Sequence, residues 1–247
     1  MPCWQTTAVS PQLQAGELHI WKIELECDDG QWQPLRALLS NDEQIKADRY
    51  LFEKHRRRYI LCRATLRNLL GSYLDRAPDT FRFAYNSHGK PFIANDDSGL
   101  RFNVSHSGEI MLAAFALNSE IGIDIEATQQ DIDYLGIGQR WFSELELNTL
   151  LKLPEHERVG AFFRAWSRKE AYIKALGAGL SYPLNRFSVS MDETSPALLE
   201  HQDCSQEIKS WQIHDVEVSS AYSAAVVIKT ARWDIRHFHL EPLGERR

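Results

Sequence analysis

The chain has 247 residues, enough for one large domain or two of about 120 residues each, and its net charge of −6 argues against general nucleic-acid binding, which uses a basic surface. An apolar share of 43% suits a buried core, yet no apolar run approaches the roughly 20 residues that span a bilayer, so no membrane partner is expected. Four cysteines (Cys3, Cys27, Cys62 and Cys204) lack a CxxC spacing, which leaves a zinc site or disulfide framework without support.

The opening "MPCWQTTAVSPQLQAGE" lacks the charged-then-apolar pattern of a leader, so a cytoplasmic protein is expected. "ELHIWKIELE" reads as the first strand, with Ile20, Lys22 and Glu24 alternating with Trp21, Ile23 and Leu25. Ser40 with Glu43 forms a capping-box signature, so a helix begins there. A second helix carries Tyr59, Cys62, Leu66, Leu69 and Leu70 as one apolar stripe. "DTFRFAYNSHGKPFI" reads as strand, turn around Asn86 to Gly89, and strand, followed by strands in "RFNVSHS", "IMLAAFAL" and "IGIDIE". Helix returns at "SELELNTLL", capped by Ser143 and Glu146, and the longest helix runs from about Glu155 to Leu176 before "GAG" stops it. "RFSVSM", "IKSWQIHDVEVS", "YSAAVVIK" and "WDIRHFHL" make the remainder β-rich. Periodicity therefore gives an α+β protein in two halves, 1–119 and 120–247, with a seam near Asn118 to Ile121.

Several residues on this frame could carry chemistry. Side chains two apart on a strand share a face, so Asp124 and Glu126 of "IGIDIE" point together. Carboxylates about 5 to 7 Å apart repel unless both face water or a cation sits between them. The hexapeptide alone leaves both readings open. Glu170 and Lys174 are four apart on the longest helix, either as a surface ion pair or as a carboxylate and ammonium beside a cleft. Ser105 and His106 point to opposite strand faces, and no G-x-S-x-G elbow accompanies them, so a hydrolase triad is not indicated. They suit hydrogen bonds to an anion, with a structural role for His106 as the alternative. "HRRR", His55 to Arg58, and Lys90 in the "HGKP" turn add cations that can meet phosphate. Neither GxxxxGK[ST] nor GxGxxG is present.

"IGIDIE" followed by "WSRKEAYIKALGAGL", with 44 residues from Glu126 to Glu170, resembles the paired signature of the 4'-phosphopantetheinyl transferases of the surfactin-synthetase-activating type. "HGKP", "FNVSHSG" and "LSYPLNRFSV" extend the likeness from about Ser40 to Val189. The resemblance implies a pseudo-twofold pair of similar α/β halves with the active site in the cleft between them. It also implies an enzyme, of the holo-[acyl-carrier-protein] synthase type, that moves the phosphopantetheine arm of coenzyme A to a serine of an apo acyl, peptidyl or aryl carrier protein. Such an enzyme releases adenosine 3',5'-bisphosphate and depends on Mg2+, for which Mn2+ can substitute.

Carried over by position, Asp124, Glu126 and Glu170 are expected metal ligands, and Glu170 and Lys174 the catalytic pair. Coenzyme A is expected to meet Lys46, Arg58, Gly89, Lys90, Ser105, His106, Asp124 and Lys174. Lys169, about 100° round the helix from Glu170, has a weaker claim. Glu43 stands where the family has a basic residue, a departure at the outer phosphate site. Asp124 is expected to be an exposed cleft carboxylate, and the fused halves imply a monomer. A metal-dependent phosphodiesterase and a non-catalytic coenzyme A or carrier-binding module are the rival readings. The second would be expected to have lost a carboxylate or Lys174, and all four are present.

Overall fold

The central strands are apolar on both sides because they are packed from both sides. The protein is seen here as a computed structural model that describes residues 4–7, 11–26, 30–179, 181–203, 206–230 and 232–240. In chain order its elements are β1 (Gln5–Thr7), β2 (Glu17–Glu24), α1 (Asn41–Asp48), α2 (Glu53–Leu74), β3 (Phe83–Tyr85), β4 (Pro91–Ile93), β5 (Leu100–Ser107), β6 (Ile110–Leu117) and β7 (Ile121–Ala127). There follow α3 (Tyr134–Trp141), α4 (Glu144–Lys152), α5 (Glu155–Leu176), β8 (Phe187–Val189), β9 (Leu198–His201), β10 (Trp211–Asp215), β11 (Tyr222–Lys229) and β12 (Asp234–Leu240).

One sheet has the order β1-β12-β2-β6-β5 and a second the order β10-β11-β7. Trp21, Ile23, Met111, Ala113 and Phe115 enter a core with α2, whereas Leu18, Ile20, Leu112, Ala114 and Ala116 face the second sheet. There they meet Ile121, Ile123 and Ile125 of β7 and Ala224, Val226 and Ile228 of β11. The opposite face of β11, through Ala225 and Val227, packs with α5. The result is four layers, helix, sheet, sheet and helix, with alternate residues of one strand serving two cores. This explains why β2 does not show a full polar face: Lys22 and Glu24 share a side with Leu18 and Ile20, and only at this end is that side partly open, with Lys22 half-buried and Glu24 exposed.

The fold is α+β, and its two halves share a plan. Each has a short capped helix, a 22-residue helix, a small two-stranded unit and then sheet strands. The helices over 41–48, 144–152 and 155–176 lie where the capping and periodic signals put them. Gly177, at φ +66°, ends α5 in the left-handed conformation. The chain does not stay within its halves, because β12 runs parallel between β1 and β2. Elements without a sequence signal were β1, β9 and α3. The last contains Gly136 and Gly138 and starts from Asp133, whose carboxylate accepts from Gly136 N at 3.0 Å. Cys3, Cys27 and Cys204 lie outside the described residues; Cys62 is a free thiol that burial pushes up to about 12. Among the described residues no helix is long and apolar enough to cross a membrane.

Candidate active site

Because β7 is an edge strand of its sheet, one of its sides needs partners from elsewhere. Its isoleucines enter the core between the sheets, which turns Gly122, Asp124 and Glu126 toward α5. Gly122 is required for that approach: a Cβ there would stand 2.1 Å from the carbonyl oxygen of Ala171 and 2.3 Å from the nitrogen of Ala175. With the helix so close, Lys174 Nζ donates to Asp124 Oδ1 at 2.6 Å and to Ser105 Oγ at 2.9 Å. Ser105 Oγ donates in turn to Asp124 Oδ1 at 2.9 Å.

Asp124 is only 3% exposed. This corrects the expectation of an exposed cleft carboxylate, since β5 and α5 enclose it and the Lys174 ammonium compensates its lost hydration. The other two carboxylates have no such partner. Burial, and then the charge of Asp124, push Glu126 up to about 6, against the pull of Lys174 and hydrogen bonds from Trp166 and Ser107. Burial, then Asp124, pushes Glu170 up to about 7, with Lys174 opposing and Glu126 adding to the rise. Asp124 Oδ2 is buried without a hydrogen-bond partner.

Three carboxylates thus share one ammonium, and one buried oxygen has an open lone pair. That donor set fits a hard divalent cation, which takes oxygen ligands. The side chains are not gathered into a finished cage: no three His, Cys, Asp or Glu among the described residues form a metal cluster. Lys174 occupies Asp124 instead.

The free side of β7 is closed by side chains of β5. Asn103 Oδ1 accepts from Ile123 N at 2.8 Å, and Ser107 Oγ accepts from Ala127 N at 2.9 Å. With Ser105 between them, alternate residues of "NVSHS" stitch the first sheet to the carboxylate strand. Asn103, Ser107 and Gly122 were not singled out from the sequence. Their signal was there, in polar residues two apart on β5 and in a glycine in phase with Asp124.

His106 sits on the opposite face of β5 from Ser105, as strand alternation requires. Partial desolvation, followed by the cations of Arg58 and Lys174, hold its imidazole below the usual range. Arg58 Nη2 donates to Glu109 Oε1 at 2.8 Å, and Lys54 Nζ reaches the same oxygen at 2.9 Å. Glu109, which carried no sequence signal, therefore holds both cations. Ser105, His106, Arg58, Asp124, Glu126, Glu170 and Lys174 form one neighbourhood of anion-seeking and cation-seeking groups.

The remaining expected residues lie apart. Lys46 is exposed on α1, its Nζ 5.4 Å from the centre of the Tyr59 ring, beside a cavity of about 650 Å³ lined also by Arg49, Tyr50 and Tyr85. Gly89 takes φ +85° in the turn before Lys90. Lys90 lines a different cavity, of about 510 Å³, with Asn86, Arg101 and Glu120. Glu43 faces inward: its carboxylate meets Arg67 Nε at 2.9 Å and Arg63 Nε at 3.0 Å. The family's basic position is thus filled by a scaffold residue. Lys169 is buried on Glu146, at 2.7 Å, away from Glu170's carboxylate neighbours.

Comparison with known proteins identifies the family. Residues 25–117 match the family described as 4'-phosphopantetheinyl transferase, N-terminal, and residues 120–227 match the 4'-phosphopantetheinyl transferase superfamily. Over 238 residues the chain is 34% identical to 4'-phosphopantetheinyl transferase HetI of Nostoc, covering 96% of this chain and 98% of that one. It is 32% identical over 190 residues to 4'-phosphopantetheinyl transferase Sfp of Bacillus subtilis, covering 77% and 82%, and 32% identical over 182 residues to the transferase gsp of Aneurinibacillus migulanus, covering 74% of each. With a relative matched along nearly its whole length and family models over both halves, the chain belongs to the 4'-phosphopantetheinyl transferase superfamily.

Proposed function

We propose that this enzyme transfers the 4'-phosphopantetheine arm of coenzyme A to a serine of an apo carrier protein, in a Mg2+-dependent reaction that releases adenosine 3',5'-bisphosphate. The observation that carries the reading is the facing of Asp124 and Glu126 on β7 by Glu170 and Lys174 on α5, with one buried carboxylate oxygen unpartnered.

Asp124, Glu126 and Glu170 would hold the magnesium ion, which supplies positive charge against the pyrophosphate as its phosphoanhydride bond breaks. The protein's own groups do the rest. Lys174 neutralises phosphate oxygens, and the Ser105 hydroxyl, which donates to Asp124 in the unliganded protein, would turn its one hydrogen to the same anion when coenzyme A binds. His106 on β5 and Arg58 on α2 bind the outer phosphate of coenzyme A, with Lys46 of α1 further out. Gly89 shapes the turn beside the nucleotide, while the Lys90 ammonium turns into the seam between the halves. Glu170, which shares the pocket with Asp124 and Glu126, is also the carboxylate placed to take the proton of the serine hydroxyl. Both halves of the site come from one chain, which makes a monomer the expected working form.

The test is direct. Pure protein, coenzyme A, Mg2+ and a panel of apo carrier proteins are incubated, and the carriers are weighed by intact mass spectrometry. A gain of one phosphopantetheine arm that EDTA abolishes is the expected result. Coenzyme A binding without transfer to any carrier would favour a binding module. Hydrolysis of a phosphodiester with no protein acceptor would favour a phosphodiesterase.

A further inference from the structure

Lys90 points away from the phosphate-seeking group and into the seam between the halves. Its backbone nitrogen donates to Asn86 Oδ1 at 2.9 Å, which fixes the turn after Gly89. Its ammonium donates to the carbonyl oxygen of Ile121 at 2.9 Å and to that of Ala175 at 3.1 Å. Ile121 opens β7, three residues before Asp124. Ala175 follows Lys174 in the last turn of α5, where carbonyls lack intrahelical partners and carry the helix's partial negative charge. We infer that Lys90 is a positioning residue: its ammonium ties the start of β7 to the end of α5 and so sets the spacing between Asp124 and Glu126 on one element and Glu170 and Lys174 on the other.

Independent contacts converge on the same junction. Asn86, four residues earlier in the turn, donates through Nδ2 to the carbonyl of Gly177 at 2.7 Å. A Cβ on Gly177 would come within 2.8 Å of that Nδ2, and one on Gly179 within 2.9 Å of His88 Cβ. The "GAG" loop is therefore shaped to receive the "NSHGK" turn, as well as to stop the helix. The charges that act on Lys90 are Glu120 and Arg101, whereas those that act on His106 are Arg58 and Lys174. Burial draws the Lys90 ammonium down to about 8, and two carbonyls stabilise it in place of a carboxylate. To neutralise a phosphate, Lys90 would have to leave both carbonyls.

The kinetic arm of the test rests on the transferase reading; the exchange arm does not. Lys90→Met and Lys90→Arg are compared with wild type for coenzyme A affinity by calorimetry and for Mn2+ affinity by electron paramagnetic resonance with coenzyme A bound. Turnover on an apo carrier protein and amide exchange by mass spectrometry complete the set. For Lys90→Met, kcat should fall about tenfold or more, because small displacements of reacting groups are costly. Its KM for coenzyme A should stay within about twofold, the split expected when ligand contacts are intact. Mn2+ should bind more weakly, and exchange should quicken in 121–127 and 171–176. Lys90→Arg, which can still reach two carbonyls, should recover most of each loss. The opposite pattern, weakened coenzyme A binding with kcat and exchange unchanged, overturns the inference and makes Lys90 a ligand contact. Should Lys90→Met not fold, Lys90→Gln is read by the same criteria. A wild-type protein without transfer would sink the transferase reading and leave exchange in these two segments to decide Lys90.

Discussion

The two halves meet one packing problem with the same parts and then diverge. In each, the short helix starts at a serine whose N–H is accepted by the glutamate three residues on, at 3.0 Å for Glu43 and 2.8 Å for Glu146. The same glutamate reaches a cation on the following long helix, Arg67 in one half and Lys169 in the other. Both cations stand fourteen residues after the first residue of their helix, Glu53 or Glu155. Each also caps a carbonyl of the chain beyond: Phe81 for Arg67, Phe187 for Lys169. One residue later the helices part, with Asn68 against Glu170, and four later again, Ser72 against Lys174. The shared pair is scaffold, a buried carboxylate held against a buried cation in each half. Chemistry begins in the next turn of one half only, where three carboxylates have one ammonium among them.

The largest effect that can break this comparison is on the rate. Asp124→Asn should lower carrier loading by about 100-fold to 1000-fold, the scale of losing one charge-stabilising group in a reaction centre. Loading within about tenfold of wild type in Mg2+, followed by intact mass, would remove Asp124 from the site.

Next come the matched scaffold pairs. Glu43→Gln and Glu146→Gln should each cost about 3 to 5 kcal/mol in denaturant unfolding, because each leaves a buried cation uncompensated. Only Glu146→Gln should also slow transfer, through Lys169 beside Glu170. If one half tolerates its change at about 1 kcal/mol or less, the two pairs are not equivalent.

A smaller effect sharpens the role of the odd ammonium. In wild type, Lys174 holds the carboxylate that a cation would need. Lys174→Met should therefore bind free Mn2+ about tenfold more tightly, while turnover falls because the phosphate loses its counter-charge. Unchanged or weaker Mn2+ affinity, read by electron paramagnetic resonance, would mean that Lys174 does not compete for Asp124.

The smallest effect is on melting. Without divalent ions, Glu126 and Glu170 keep protons in the folded state to about 6 and about 7, above their ordinary 4.5. The folded state then binds more protons than the unfolded one, so this stabilisation is complete below about pH 4.5 and lost as pH rises through those values. Melting temperature in EDTA should fall over that window, less steeply in Glu170→Gln, and Mg2+ should flatten it. An identical slope in Glu170→Gln would detach the effect from this carboxylate.

Much of the frame was legible because it is local. Capping boxes, the stripe on α2 and the glycine stop of α5 depend on neighbours within a few residues, and all appear in place. The co-facing of Asp124 and Glu126 follows from strand geometry alone. What stayed hidden depends on contacts between distant segments. Nothing near Glu43 announces that Arg67 will bury it, and nothing in "HGKP" reveals that the Lys90 ammonium reaches Ile121 and Ala175. Asp124 was misread as exposed for the same reason: its cover comes from β5 and α5, 19 and 50 residues away.

The strand β12 carries a consequence for how the molecule is made. It lies between β1 and β2, pairing Asp234 with Glu17 and Gln5 with Phe238. During synthesis the first sheet stays split, with β1 held by no sheet neighbour, until residues 234–240 have left the ribosome. Closing a loop of that length must precede the pairing it rewards, which slows assembly. A gene cut at the seam would thus yield two pieces that each lack part of a sheet, and their recombination would depend on β12 finding its slot.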